Sequence, residues 1–131
     1  MNFDIVDTMV RMAMDAIRNS YTEHGGIAAG ACVLASDGTL YSGCAIDHPE
    51  QILSYSAEVV AMLRALSEGK RDFDALAVVA DIDGIYVPDQ DTWLFLKEFD
   101  VQQIILADLD GDFKIMNIDD IEPYKPRHRN Y

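Results

Sequence analysis

The chain has 131 residues, half of them hydrophobic, and its 10 Lys and Arg residues against 23 Asp and Glu residues give a formal net charge of −13. This composition excludes a disordered chain, and the length predicts a single domain over residues 1–131. The acidic balance argues against nucleic-acid binding, because Lys and Arg must neutralise the phosphates. No apolar run approaches the ~18 residues that span a bilayer. Since the N-terminus also lacks a secretory pattern, we expect a cytoplasmic protein that does not bind membranes.

The N-terminal third predicts a helix followed by a β-hairpin. Apolar residues recur at three- and four-residue spacing over residues 3–19, which indicates an amphipathic helix. Residues 28–35 and 40–46 read as two strands joined by a turn at 36–39.

The two cysteines are expected to be free thiols. A tight turn at Asp37-Gly38 would place Cys32 opposite Gly43 and Cys44 opposite Ala31. Side chains alternate along a strand, so this register predicts sulfur atoms on opposite faces of the hairpin and no disulfide.

The middle of the chain predicts a loop over 47–53, then a helix that begins at a cap near Ser54 or Ser56 and ends at Gly69. A buried stripe of this helix is predicted at Val59, Met62, Leu63 and Leu66. Residues 75–80 form a continuous apolar run, typical of a strand covered on both faces.

The remaining elements are a loop at 81–90, a helix at 93–99, strands at 103–107 and 113–116, and a helical turn at 117–121. The order of helices and strands predicts an α/β fold, a three-layer α/β/α sandwich around a mixed five-stranded sheet. A basic cluster closes the chain, and we interpret it as a solvated tail, with a phosphate-binding arm as the alternative. It consists of Lys125, Arg127, His128 and Arg129.

Five segments resemble, in order, those of the cytidine deaminase family, which includes blasticidin S deaminases. They are Asp37-Gly38-x-x-Tyr41-x-Gly43-Cys44, Ser56-Ala57-Glu58-Val59-Val60, Phe73-x-Ala75-x-Ala77-Val78-Val79-Ala80, Gly84-Ile85-x-Val87-Pro88, and the C-terminal pair Asp110-Gly111 and Ile121-x-Pro123-Tyr124. The resemblance covers nearly the whole chain. It implies the deaminase fold and a homo-dimer or homo-tetramer.

The resemblance also implies a zinc site, at which this chain differs from the family. Zinc deaminases place a Cys or His two residues before a Glu, followed by a Pro-Cys-x-x-Cys run. Glu58 matches the Glu that moves the proton, but Ser56, Asp89 and Thr92 stand where the three zinc ligands would be. Hydroxyl groups are poor zinc ligands, so we expect no cofactor.

Two interpretations of these positions remain open from the sequence. Ser56 and Asp89 lie at predicted helix N-termini, where their oxygens would cap backbone N–H groups. Alternatively, Glu58, Asp89 and Asp91 would form an oxygen-ligand site for Mg²⁺ or Mn²⁺. An unpaired Glu58 in an apolar cavity would have a raised pKa.

The family grips ribose with an Asn-x-Glu-Asn run, and the matching positions here are Ala45, Asp47 and His48. These three residues are the candidate substrate-binding residues, with the sugar contacts altered. His24 and His48 are expected at the mouth of the site, without a metal-binding spacing.

Three functions follow as hypotheses. The first is a cytidine deaminase-like protein that lacks the zinc ligands, does not deaminate, and binds a nucleoside-like small molecule. The second is a divergent nucleoside or nucleobase hydrolase that uses Glu58 with a non-standard metal. The third is an acidic oligomeric interaction protein, which the net charge supports only weakly.

Overall fold

The computed structural model describes residues 2–123, so the predicted basic cluster at the C-terminus lies outside the described residues. The helices are α1 (Phe3–Ala16), α2 (Ala57–Ser67) and α3 (Gln90–Glu98). The strands are β1 (Ala29–Ala35), β2 (Leu40–Cys44), β3 (Phe73–Ala80), β4 (Gln103–Ala107) and β5 (Phe113–Asn117). Short 3-10 turns occupy Ile17–Asn19, Gln51–Leu53 and Ile118–Asp120.

The five strands form one mixed sheet in the order β2-β1-β3-β4-β5, in which only β3 and β4 run parallel. Helix α1 covers one face of the sheet, and α2 with α3 covers the other. The predicted three-layer α/β/α sandwich is therefore confirmed. Strand β3 lies at the centre and is buried at every position except Asp74, as its apolar run predicts.

The predicted register of the first hairpin is wrong by one residue. Cys32 pairs with Ser42, and Cys44 pairs with Gly30. The loop has three residues rather than two, because Ala35 pairs with Thr39 and Gly38 adopts a φ of +94°. Both sulfur atoms therefore lie on the α1 face, although both cysteines remain free, as predicted.

The predicted buried stripe of α2 is only partly right, since Met62 is buried and Leu66 packs partly buried against the core. The buried residues are Ala57, Glu58, Ala61, Met62 and Ala65, whereas Leu63 is 40% exposed. Small side chains face the sheet because the helix approaches β2 very closely. A Cβ atom added to Gly43 would lie 2.4 Å from the backbone nitrogen of Ala61. Alanines on α2 and a glycine on β2 thus permit a contact that larger side chains would block.

One edge of the sheet gathers the loops that carry the candidate residues. The start of β1 is paired with the ends of both β2 and β3, through Gly30 with Cys44 and Ala29 with Ala80. The segments before β1, after β2 and after β3 therefore meet at this edge, next to the N-termini of α2 and α3. Within the described range, none of the helices has the length and apolar character required to cross a membrane.

Candidate functional site

A cavity of about 900 Å³ opens at this edge of the sheet. Its walls come from the loop before β1, the segment from the end of β2 to the start of α2, and the first turns of α2 and α3. Ser56, Glu58, Asp89 and Thr92 all line it, although residues 56 and 92 are far apart in sequence. The structure therefore brings together the four positions that sequence comparison with the zinc deaminases singled out.

The N-termini of α2 and α3 are joined by side-chain hydrogen bonds at the base of the cavity. Ser56 caps α2 by accepting from the backbone N–H of Val59 at 3.2 Å, and Asp89 caps α3 by accepting from the N–H of Thr92 at 2.8 Å. The Thr92 hydroxyl donates to Ser56 Oγ at 2.8 Å. The capping interpretation of Ser56 and Asp89 is thus the one that this geometry fits.

Glu58 lies in the first turn of α2 and is completely buried. Among residues 2–123, neither oxygen of its carboxyl group has a hydrogen-bond partner. Burial raises the pKa of Glu58, its own backbone N–H opposes this rise, and the nearby charge of Asp89 adds a smaller increase, which together place the pKa at about 8. The side chain is therefore a neutral acid at neutral pH, with one donor and one acceptor, and it forms part of the cavity wall.

The residues around Glu58 do not fit zinc. Two of the three family ligand positions hold hydroxyl groups, which already bond to each other, and the carboxylate of Asp89 caps a helix. Cys32 is buried beneath α1, and the thiol of Cys44 donates to the carbonyl of Asn19, so neither thiol is available. Across residues 2–123, no three His, Cys, Asp or Glu side chains are arranged to hold a metal ion.

The candidate substrate-binding residues separate in the structure. Ala45 and Asp47 line the cavity, but His48 does not, and its Nδ1 accepts from the backbone N–H of Glu50. Asp47 Oδ2 accepts from the N–H groups of His24 and Gly26, which ties the loop before β1 to the segment after β2. These bonds hold the pKa of Asp47 below its usual value. A sugar hydroxyl would have to reach the other oxygen, Oδ1, which accepts from the Ser54 hydroxyl at 3.4 Å.

Sequence reasoning missed several residues of the cavity. Tyr86 lines it, and the charge of ionised Glu58 raises the pKa of its phenol. Four largely exposed apolar side chains line it as well, and we call them the apolar rim. The rim consists of Ile27, Ile46, Ile52 and Tyr55. These four residues lie outside the helices and strands with a hydrophobic periodicity, so no pattern in the sequence indicates them. The tertiary fold brings them together, in part through the antiparallel β-bridge between Ile46 and Tyr55.

The sequence is similar to those of known bacterial enzymes. It is 33% identical over 111 residues to a cytidine deaminase of Sporosarcina psychrophila, covering 83% of this chain and 82% of that protein. It is 28% identical over 117 residues to a cytidine deaminase of Halalkalibacterium halodurans, covering 88% of this chain and 89% of that protein. Comparison with models of protein families finds no match.

Solved structures of cytidine deaminases share the fold. The enzyme from Burkholderia pseudomallei superposes with a TM-score of 0.81 at 24% identity, covering 88% of this chain and 94% of that one. The enzyme from Mycobacterium tuberculosis gives 0.75 at 21% identity, covering 88% and 91%. The sequence relatives, the matched segments and the shared sandwich agree, and the chain belongs to the cytidine deaminase family.

Proposed function

We propose that this protein is a cytidine deaminase-like protein that does not carry out zinc-dependent deamination. In this proposal it binds an uncharged, pyrimidine-like small molecule in the cavity between α2 and α3. The proposal needs no resident metal, and it gives Glu58 a binding role rather than a hydrolytic one.

One observation carries this proposal: the polar groups at the base of the cavity satisfy one another, and within residues 2–123 Glu58 is the buried polar side chain left without a partner. Ser56, Thr92 and Asp89 hold the two helix N-termini together through hydrogen bonds of 2.8 to 3.2 Å. A buried carboxyl group without a partner is costly, and a ligand that pairs with it would remove that cost.

Glu58 alone is a poor hydrolytic apparatus. In metal-assisted hydrolysis the ion lowers the pKa of water from about 16 to about 7, which supplies the nucleophile at neutral pH. A carboxylic acid with a pKa of about 8 is mostly protonated at pH 7, so it lacks the charge needed to accept a proton from water. The donor set around it supplies no soft ligand that would compensate.

The charge of the cavity favours an uncharged ligand. No Lys, Arg or His side chain contributes to its lining among the residues that the structure describes, whereas Asp47, Asp89 and Asp91 do. A phosphorylated ligand would therefore find no cationic side chain among these lining residues and would face three carboxyl groups. A neutral amide or amidine edge has an adjacent donor and acceptor, which match the protonated form of Glu58.

The experiment is elemental analysis of the protein purified without added metal, combined with deaminase assays on cytidine, deoxycytidine and blasticidin S. We expect substoichiometric zinc and no turnover that depends on Glu58, tested with Glu58→Gln. About one zinc per chain, or turnover that is lost in Glu58→Gln, would overturn the proposal.

The same analysis decides the second hypothesis. Stoichiometric Mg²⁺ or Mn²⁺, together with Glu58-dependent hydrolysis of a nucleoside or nucleobase, would favour a divergent hydrolase instead. A homo-dimer or homo-tetramer remains part of our proposal, and light scattering after gel filtration measures it directly.

A further inference from the structure

The cavity is divided into a polar base and an apolar rim. The base contains Glu58 and the hydroxyl of Ser56, whose oxygen already accepts two hydrogen bonds. The proton of that hydroxyl is therefore left to be donated. Ile27 and Ile52 at the rim are 53% and 86% exposed. A ligand that spans the cavity would meet polar groups at one end and hydrocarbon at the other.

The rim offers few groups that could bind sugar hydroxyls. Ala45 has no polar side-chain atom, and the carboxylate of Asp47 is engaged by two backbone N–H groups at 3.1 and 2.9 Å. The hydroxyl of Ser54 is engaged as well, because it accepts from the N–H of His48 at 2.9 Å. A ribose would therefore have to rely on Asp47 Oδ1, which accepts from the Ser54 hydroxyl at 3.4 Å, and a site with so few partners for sugar hydroxyls discriminates weakly in favour of a sugar.

The apolar rim favours contact with hydrocarbon groups rather than with sugar hydroxyls. Ile27, Ile46, Ile52 and Tyr55 expose between 36% and 86% of their surfaces next to the cavity. Covering such surface with hydrocarbon is favourable, by about a fourfold gain in affinity for each methylene that is fully buried. An apolar substituent at this position would therefore increase the binding affinity, whereas a sugar would find few hydrogen-bond partners there.

We propose that the ligand is an uncharged heterocycle whose amide or amidine edge pairs with Glu58 and which carries an apolar substituent, not a sugar, against Ile27 and Ile52. This inference rests on the proposed function and narrows it, because it replaces the nucleoside-like ligand with an alkylated base. The Ser56 hydroxyl donates to the same edge of the heterocycle.

The test is isothermal titration calorimetry at pH 7 with two matched pairs of ligands. The pairs are 1-butyluracil with uridine, and 1-butylcytosine with cytidine, which differ only in the group at N1. We expect at least one butyl compound to bind tenfold or more tightly than its ribosyl counterpart. Glu58→Ala should abolish that binding, whereas Glu58→Gln should retain it, because an amide also presents one donor edge and one acceptor edge.

A pair of surface variants tests the rim. Ile52→Ser should weaken the butyl ligand several-fold and leave uridine and cytidine unchanged. Leu94→Ser is the matched control, because Leu94 is 52% exposed on α3 but does not line the cavity. It should change neither affinity.

Equal or tighter binding of the ribosyl compounds would overturn this inference and leave the proposed function standing. Absence of binding by all four ligands would also overturn it, since the apolar rim would then serve another purpose, such as contact with a second copy of the chain. Zinc or Glu58-dependent turnover would instead overturn the proposed function, so the two failures are distinguishable.

Discussion

The two faces of the sheet are packed alike but differ in polarity. Each helix approaches a glycine, with Gly30 beneath α1 and Gly43 beneath α2. Under α1 the buried cluster is apolar throughout, apart from the thiol of Cys32, whose pKa burial raises to about 12. Among residues 2–123, the buried polar side chains, Glu58 and Thr92, both lie on the α2 and α3 face.

This difference shows that the packing of a helix against the sheet does not require a buried, unpartnered acid such as Glu58. The α1 face covers the same strands with hydrocarbon, and in the described part of the chain it leaves no buried polar side chain unpaired. The α2 and α3 face keeps an unpartnered acid next to a cavity, in a position that an apolar residue would fill at lower cost. The burial of Glu58 therefore lowers the stability of the fold on the face that carries the cavity. Perturbed ionisable groups of this kind are common at functional sites.

The largest expected effect comes from restoring the family's zinc ligands on the polar face. The triple variant Ser56→Cys, Asp89→Cys, Thr92→Cys should bind about one zinc per chain, because the hydroxyls of Ser56 and Thr92 already lie 2.8 Å apart. Zinc titration with a chromophoric chelator measures it, with the parent and single Ser56→Cys as controls. If the folded triple variant binds zinc no better than the parent, the three positions do not converge.

The next effect is the pH dependence of stability. The folded-state pKa of Glu58 is raised to about 8 from an ordinary value of 4.5, so the folded protein retains a proton that the unfolded chain releases. The contribution of protonated Glu58 to the free energy of unfolding is complete below about pH 4.5. It is lost as the pH rises towards 8, so the free energy of unfolding falls by about 1.4 kcal/mol per pH unit in this range.

Urea denaturation at several pH values measures this loss, with Glu58→Gln as the matched reference that cannot titrate. Between pH 5 and pH 7, the free energy of unfolding of the parent should fall relative to that of Glu58→Gln by about 2–3 kcal/mol. Parallel pH profiles for the two proteins would show that Glu58 is not buried as a neutral acid.

A packing change on the apolar face should have a comparable or smaller effect. Gly30→Ala would place a Cβ atom 1.8 Å from the carbonyl oxygen of Ala13, so α1 must move away from the sheet. We expect the free energy of unfolding, measured by urea denaturation, to fall by about 1–3 kcal/mol. Gly43→Ala is the counterpart on the other face and should behave similarly. A variant of either glycine as stable as the parent would mean that the helix does not sit so close.

The smallest effects concern the helix caps at the base of the cavity. Ser56→Ala and Asp89→Ala should each lower the free energy of unfolding by about 0.5–2 kcal/mol, because each removes an acceptor for a backbone N–H group. Ser67→Ala, at the exposed C-terminal end of α2, is the control and should be nearly neutral. Unchanged denaturation midpoints in both cap variants would count against the capping role.

The sequence alone determined the features that depend on neighbouring residues. The order of elements, the candidate caps at Ser56 and Asp89, the glycine after α2 and the buried run at 75–80 of β3 all follow from local propensity and periodicity. Family motifs added the position of Glu58. A raised pKa was predicted only on the condition that Glu58 is unpaired in an apolar cavity, and the fold supplies that condition by burying the side chain without a partner.

Only the tertiary structure decided the features that depend on distant residues. The bond of Thr92 to Ser56 spans 36 positions, and those of Asp47 to His24 and Gly26 span 23 and 21. The close approach of α2 to Gly43 sets which face of the helix is buried, so alanines occupy most of that face and Leu63 is left exposed. Periodicity in the sequence predicts which side chains are apolar and which face of an element they share. It does not predict the register of two strands or the distance between a helix and the sheet, because these depend on contacts between residues far apart in sequence.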